Sequence, residues 1–321
     1  MKLRKTLALI LALCVVLAAC APPSDGGGDA DAPANTPTVN GDATQTVGAS
    51  DEPIVVTLAE SWDFSLGICP SLNPSISPNY GSIYWGRNFY NTLVSYSDDG
   101  EIVGELAESW DISDDGKMYT FHLRTDVLFS DGSPFTAEAV KVSFEAAVFN
   151  LGMYNGSYGM TSALVSNIVV ADEHTVVFNL MQPYYNTLND LTMSCPLAIV
   201  NPAAFDGDDL TYGDAFLTVS YGTGPYMYDG DFTGDTYTFV RNPYYYGEAP
   251  EVDIFKVKVI PDNDAKLLAL RNGEIDAILG SQSVNADGYT ELSANLSFGS
   301  RLNDKPSQTR LLGMNLAMPP P

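Results

Sequence analysis

Downstream of a polar N-terminal stretch, hydrophobic positions recur either every second residue or with helical spacing, and turn residues separate the runs. Ile54–Ala59 is rich in β-branched residues and predicts a strand. Trp110–Ile112 and Met118–Leu123 flank Ser113-Asp114-Asp115-Gly116, where glycine accepts the positive φ of a tight turn, so they predict a hairpin. Ile168–Ala171 and Thr175–Leu180 predict a second hairpin around Asp172-Glu173-His174. Gly222-Thr223-Gly224-Pro225-Tyr226 opens a third β unit, in which Tyr237, Phe239 and Arg241 alternate along Thr236–Arg241. Val252–Ile260 and Ile275–Leu279 read as further strands.

Helical spacing is clearest after Thr136, which can cap a helix carrying Val140, Phe144, Ala147 and Val148 on one face. Asn263–Asn272 predicts a short amphipathic helix with Leu267, Leu268 and Leu270, closed by Gly273. The second half of Tyr80–Leu93 is expected to be helical, and Leu188–Val200 to mix helix and strand. Cys69–Pro78 and Asn150–Ser162 read as irregular. Strands and helices follow one another without strict alternation, which predicts a mixed α/β (α+β) body.

The first twenty residues change the picture of what folds. Lys2, Arg4 and Lys5 precede an apolar run from Leu7 to Val16, and Leu17-Ala18-Ala19-Cys20 follows as a small-residue cleavage site. That is an export signal, too short to span a bilayer. The tetrapeptide resembles a bacterial lipobox, which would make Cys20 the lipidated first residue of the mature protein; an ordinary secretory signal with a chance cysteine is the other reading. Residues 21–52 are Pro-, Gly-, Asp-, Ala- and Thr-rich and predict a disordered linker.

The formal net charge of −25 argues against nucleic acid and anionic membrane surfaces as partners, because both need a basic footprint. Of four cysteines, Cys14 lies in the signal and Cys20 at its end. Cys69 and Cys195 remain, as a disulfide permitted in an exported protein or as two partly buried thiols.

Catalytic chemistry finds no anchor. His122 and His174 both fall in hairpins, with His122 expected on the polar face of its sheet. No Gly-x-Ser-x-Gly elbow, Ser-His-Asp order or metal-spaced Cys/His set occurs. Asp111-x-Ser113-x-Asp115-Gly116 opens like a calcium loop, but His122 stands where that loop requires glutamate, and a hairpin fits better. Gly222-Thr223-Gly224 lacks the Lys-Ser/Thr of a phosphate loop and reads as a close crossing of two backbones. Tyr80, Tyr84, Trp85, Tyr154, Tyr158 and Tyr221 lie where side chains can line a cleft or pack against their own lobe. The sequence therefore predicts a non-enzyme without a cofactor; an exported, lipid-anchored hydrolase working through Asp/Glu pairs is the distant alternative.

Several stretches together carry a resemblance. They are Glu105-Leu106-Ala107-Glu108-Ser109-Trp110, Asp114 to Arg124, Phe129 to Glu138 with Val140-Lys141, Gly222 to Tyr226, Arg241-Asn242-Pro243-x-Tyr245, and Asn272 to Asp276. In order and spacing the chain resembles the bacterial extracellular solute-binding proteins of family 5, the oligopeptide, dipeptide and nickel binders of ABC importers. The resemblance implies a two-lobed periplasmic-binding-protein-like fold of type II. Its main lobe would take residues 53–78 and 193–261, an inserted small lobe 79–192, and a second main lobe 262–321. Members of that family are longer, so the second main lobe is expected to be incomplete, and the chain expressed alone to be unstable or to aggregate.

The resemblance also implies a function. An interlobe cleft would capture a solute, foremost an oligo- or dipeptide, and deliver it to the transmembrane subunits of a permease from a lipid-tethered position outside the cell membrane. A nickel-chelate, haem or oligosaccharide is the alternative cargo. In that family the segment after the first strand contributes to the cleft, which singles out Glu60, Ser61 and Trp62. Loop placement adds Tyr154, Tyr158, Ser194 and Cys195.

Overall fold

The computed structural model describes residues 52–61, 85–212, 216, 219–278 and 284–294. The expectations for the signal, Cys20, the linker up to residue 51, Trp62, Cys69, Tyr80, Tyr84 and the chain beyond residue 294 lie outside these residues. The chain divides into two units, one ending at residue 283 and one beginning at 284. Of the second, helix α3 (Ala286–Ala294) is described, with Asn285 Oδ1 accepting from Gly288 N at 2.7 Å at its start.

The first unit holds two large sheets. One has five strands in the order β11-β1-β10-β9-β8. These are β1 (Val55–Glu60), β8 (Tyr226–Thr233), β9 (Thr236–Arg241), β10 (Ile254–Val259) and β11 (Ala277–Ile278). β1 runs parallel to both of its neighbours, from Val55↔Ile254 to Glu60↔Val259 on one side and at Leu58↔Ala277 on the other. β8, β9 and β10 are antiparallel.

The other sheet has the order β4-β5-β7-β6 and is antiparallel throughout. It consists of β4 (Ala107–Ile112), β5 (Met118–Leu123), β6 (Val165–Asp172) and β7 (Thr175–Leu180). Beside it lies a two-stranded ribbon of β2 (Val94–Tyr96) and β3 (Ile102–Gly104). Both predicted hairpins are present, and Gly116 turns the first at a φ of 66°. His122 lies on the exposed face, 2.9 Å from Asp111.

Each sheet has its own core. Phe121, Phe178, Phe144 and Val140 centre the core of the four-stranded sheet. Phe178 meets Phe121 and Phe144 edge-on, with centroids 5.5 and 5.1 Å away. The core of the five-stranded sheet holds a triangle of rings, with Phe239 4.8 Å from Phe89 and 4.7 Å from Phe255, and Phe89 and Phe255 6.3 Å apart. Such contacts add to the apolar burial that holds each core.

Helix α1 (Ala137–Leu151) serves both cores. Thr136 caps it as predicted, accepting from Ala139 N. Val140, Phe144 and Ala147 face the smaller sheet's core, while Ala146 belongs to the other. On that second side Ser143 Oγ accepts from Val200 N at 2.9 Å, and Asn150 donates to Leu210 O at 2.6 Å and accepts from Tyr212 N at 3.0 Å.

Two expectations are corrected. Of the stretch expected to be helical in its second half, Trp85 is helical and Gly86–Asn88 form a 3₁₀ turn, after which residues 89–93 run irregular. Its carbonyls are taken by distant segments: Phe89 O accepts from Gly224 N at 2.9 Å and Asn91 O from Ile199 N at 3.0 Å. Leu188–Val200 contributes the end of a helical turn, Thr187–Asp190, but no strand. Its backbone is instead satisfied by the Ser143 side chain and by the Asn91 carbonyl. Tertiary hydrogen bonds outweigh local propensity in both places.

Gly222 and Gly224 behave as the sequence suggests. A Cβ on Gly222 would lie 1.9 Å from Phe89 O, and one on Gly224 2.6 Å from Phe89 C, so only glycine allows this crossing. Thr223 Oγ1 donates to Asn91 Oδ1 at 3.0 Å, and Asn91 donates to Glu105 at 2.9 Å, which ties the crossing to the entry of β4.

Candidate functional site

In sheets with parallel strands, ligands gather at the carboxyl ends, where loops diverge and side chains converge. The parallel part of the larger sheet ends at Glu60 and Val259. Glu60 begins the turn out of β1, and its main-chain oxygen accepts from Ile260 N at 2.8 Å. β10 continues through Pro261 and Asp262 into helix α2 (Asn263–Asn272), which Asp262 caps through Ala265 N at 2.8 Å and Gly273 closes in the left-handed conformation.

This geometry brings together a buried polar cluster. The Glu60 carboxylate is fully buried, accepting from Ser61 N at 2.6 Å and from the Trp85 indole at 3.3 Å. Lys266, in the second turn of α2, is also fully buried. Its ammonium donates to Ser61 Oγ and, at 3.2 Å, to Asn263 Oδ1. Burial pushes Lys266 below its ordinary pKa, while the negative charges of Glu60 and Asp262 pull it back up. Trp85 closes the cluster from the core side, stacked on Phe255 at 6.0 Å. Ser61 is the half-buried member.

The remaining candidates lie along a wall that starts one residue beyond Trp85. A Cβ on Gly86 would stand 3.6 Å from Ser194 Oγ, and Arg87 donates to Thr192 O at 3.0 Å, so residues 85–88 and 192–195 lie side by side. Cys195 is buried against Leu151, with Tyr154, Tyr158 and Met193 packed around it. Beside them, Asn155 Oδ1 is buried without a hydrogen-bond partner.

The structure thus joins Glu60 and Ser61 in one cluster and Tyr154, Tyr158 and Cys195 in another, with Ser194 beside Gly86 between them. Trp62 and Cys69 lie outside the described residues. Of the other aromatic candidates, Trp85 takes part through its indole N–H, whereas Tyr221 packs on Phe216 at 5.6 Å. Lys266 and Asn263 escaped the sequence reading. Their one signal is a lysine placed among the buried positions Leu267 and Ala269 of a short capped helix.

Among the described residues, no group of three or more His, Cys, Asp or Glu side chains could hold a metal ion. No helix among them is long and apolar enough to cross a membrane. A hollow of about 730 Å³ lies apart from this cluster, among the β2–β3 ribbon, the β4–β5 hairpin and residues 183–189.

Comparison with known proteins places the chain in a family. The sequence profile of the bacterial extracellular solute-binding proteins, family 5 Middle, matches residues 101–321. The chain belongs to that family. The nickel-binding periplasmic protein of Escherichia coli strain K12 is 29% identical over 265 residues, covering 82% of this chain and 48% of the relative. The probable D,D-dipeptide-binding periplasmic protein DdpA of the same organism is 36% identical over 199 residues, or 58% of this chain and 36% of the relative. The chain therefore spans half or less of the length of these relatives.

Solved structures agree on the fold. NikA from Brucella suis, in complex with Fe(III)-EDTA, superposes with a TM-score of 0.66 and 30% identity, over 75% of this chain and 46% of that one. The periplasmic binding protein DppA from Helicobacter pylori, in complex with the peptide STSA, gives 0.61 and 28%, over 76% and 50%. The mixed α/β fold of this family-5 chain is that of the periplasmic binding proteins, of which it covers about half.

Proposed function

We propose that this chain is part of the solute-capturing component of an ABC importer, exported, tethered through a lipid on Cys20, and delivering its cargo to the permease's transmembrane subunits. The cargo we assign is an oligo- or dipeptide. The lobes follow the family scheme: residues 53–78 with 193–261, an inserted lobe 79–192, and a further lobe from 262.

The observation that carries this reading is the Glu60–Ser61–Lys266 cluster at the carboxyl end of β1. Lys266 and Glu60 are buried and fix the turn, while Ser61 stays half open. Because Ser61 Oγ accepts from Lys266, its own O–H is left to donate to a carbonyl or carboxylate on a ligand. Peptide recognition needs such backbone-directed donors, with tolerant pockets for the side chains. Tyr154 and Tyr158 would wall the same cleft, with Ser194 and Cys195 buried behind them, and closure of the lobes would trap the cargo by its higher affinity for the closed state. The peptide bound to the Helicobacter pylori relative supports this cargo.

A metal chelate is the second reading, favoured by the nickel-binding relative that matches 82% of the chain. Mass spectrometry of the ligand released from the purified full-length protein separates the two. A mixture of short peptides is the expected result, and a stoichiometric metal chelate would overturn it. Saturable binding without product is expected on peptide pools; turnover would revive a hydrolase.

A further inference from the structure

The four-stranded sheet carries a surface that the proposed solute cleft does not use. Its hollow of about 730 Å³ falls in the size range of ligand-binding depressions and is floored by Tyr119, Ile102, Tyr184 and Leu188. Its rim presents apolar surface to solvent: Tyr185 is 96% exposed, and Ile112 and Tyr96 are each about half exposed. Apolar surface collected in a concave site, rather than scattered singly, marks a place where another molecule binds. Two turns flank the hollow, and both are acidic. Ser97–Glu101 carries Asp98, Asp99 and Glu101, while Ser113–Lys117 carries Asp114 and Asp115, with Lys117 the cation among them.

We propose that this hollow is a docking site for a basic, aliphatic-containing peptide segment of a partner protein. Charge complementarity selects that occupant. A second copy of this chain would bring another large negative charge to the acidic rim, and an anionic bilayer would be repelled in the same way. A segment of arginines or lysines interleaved with aliphatic residues meets both features, laying its apolar side on the tyrosine floor and its charges against the two turns. The Asp115 carboxyl is held below its ordinary value, first by the Ser113 hydroxyl and then by the Lys117 N–H.

The test uses the whole chain and a fluorescein-labelled dodecapeptide of alternating arginine and leucine, read by anisotropy at low salt. Saturable binding is expected, with no binding of the glutamate–leucine counterpart. Tyr185→Ala and Glu101→Lys should each weaken binding by about tenfold or more. Both side chains are exposed, so circular dichroism and the melting transition should stay unchanged. Glu251→Lys, which makes the same charge change in the loop entering β10, should leave binding intact. The proposal falls if Glu251→Lys weakens binding as much as Glu101→Lys, since that is unspecific attraction. It falls equally if the hollow variants bind normally, or if sedimentation finds a dimer that Tyr185→Ala dissolves.

Discussion

The two sheets of the first unit are built on opposite plans. The four-stranded sheet is two hairpins of sequence neighbours, β4 with β5 and β6 with β7, joined along β5 and β7. The five-stranded sheet places β1 between β10 and β11, strands about two hundred residues further on. Its parallel pairing leaves strand ends pointing the same way, and there Glu60, Ser61 and Lys266 meet. The antiparallel sheet keeps its polar side-chain contacts on the surface, as in the His122–Asp111 hydrogen bond and the Arg124–Asp126 ion pair. Local pairing yields a scaffold, whereas distant pairing brings together side chains that no local motif could.

The sharpest way to break this comparison is to damage one core alone. Phe178→Ala removes the ring at the centre of the antiparallel sheet's core and should cost about 4 kcal/mol. Hydrogen exchange should rise across β4–β7 well before it rises in β1 and β10. Uniform loss of protection would show that the two cores do not open separately.

Lys266→Met tests the other sheet. It leaves the buried Glu60 carboxylate without its neighbouring cation and should cost about 3 kcal/mol in urea unfolding. A loss below about 1 kcal/mol would mean that Glu60 is satisfied without it.

Gly222→Ala attacks the crossing between the sheets. Its methyl would collide with the Phe89 carbonyl, so a loss of about 2 kcal/mol is expected, with both sheets affected together. Wild-type stability would mean that the backbones part easily.

The smallest effect lies in the hairpin turns. The Asp172 carboxyl is held below its ordinary value of 3.8, chiefly by the His174 N–H. That support is fully present above 3.8 and is lost as pH falls through the lower folded value. Asp172→Asn should therefore lower the melting temperature slightly at neutral pH, where the support is present, and leave it unchanged in acid below the folded value, so that the acid limb of the profile flattens. An unchanged acid limb would remove the turn from the account.

The same contrast explains what could be read from the chain beforehand. The hairpins, the Thr136 cap and the helix between Asp262 and Gly273 each announce themselves through turn chemistry and periodicity within a few residues. The placement of β1 does not, because parallel pairing of distant segments leaves no local mark. Residues 86–93 and 191–200 escaped for a related reason, since their backbones bond to segments far away. At the site, Glu60 and Ser61 could be singled out only through the family resemblance, which points to the segment after the first strand. Lys266 could not, because a buried lysine follows no hydrophobic period and gains its meaning only when α2 docks against β1.

The glycine crossing also bears on how the chain acquires its shape during synthesis. Asn91 and Thr223, bonded across it, are 132 residues apart. All four strands of the antiparallel sheet leave the ribosome before Thr223 does, and even its longest pairing, β5 with β7, spans less chain than the pairing of β1 with β10. Local pairings form sooner than distant ones, because less chain entropy is lost in closing them. The smaller sheet can therefore stand as a finished template on the nascent chain, and β8 to β10 then close over Phe89 with the glycines passing last across its backbone.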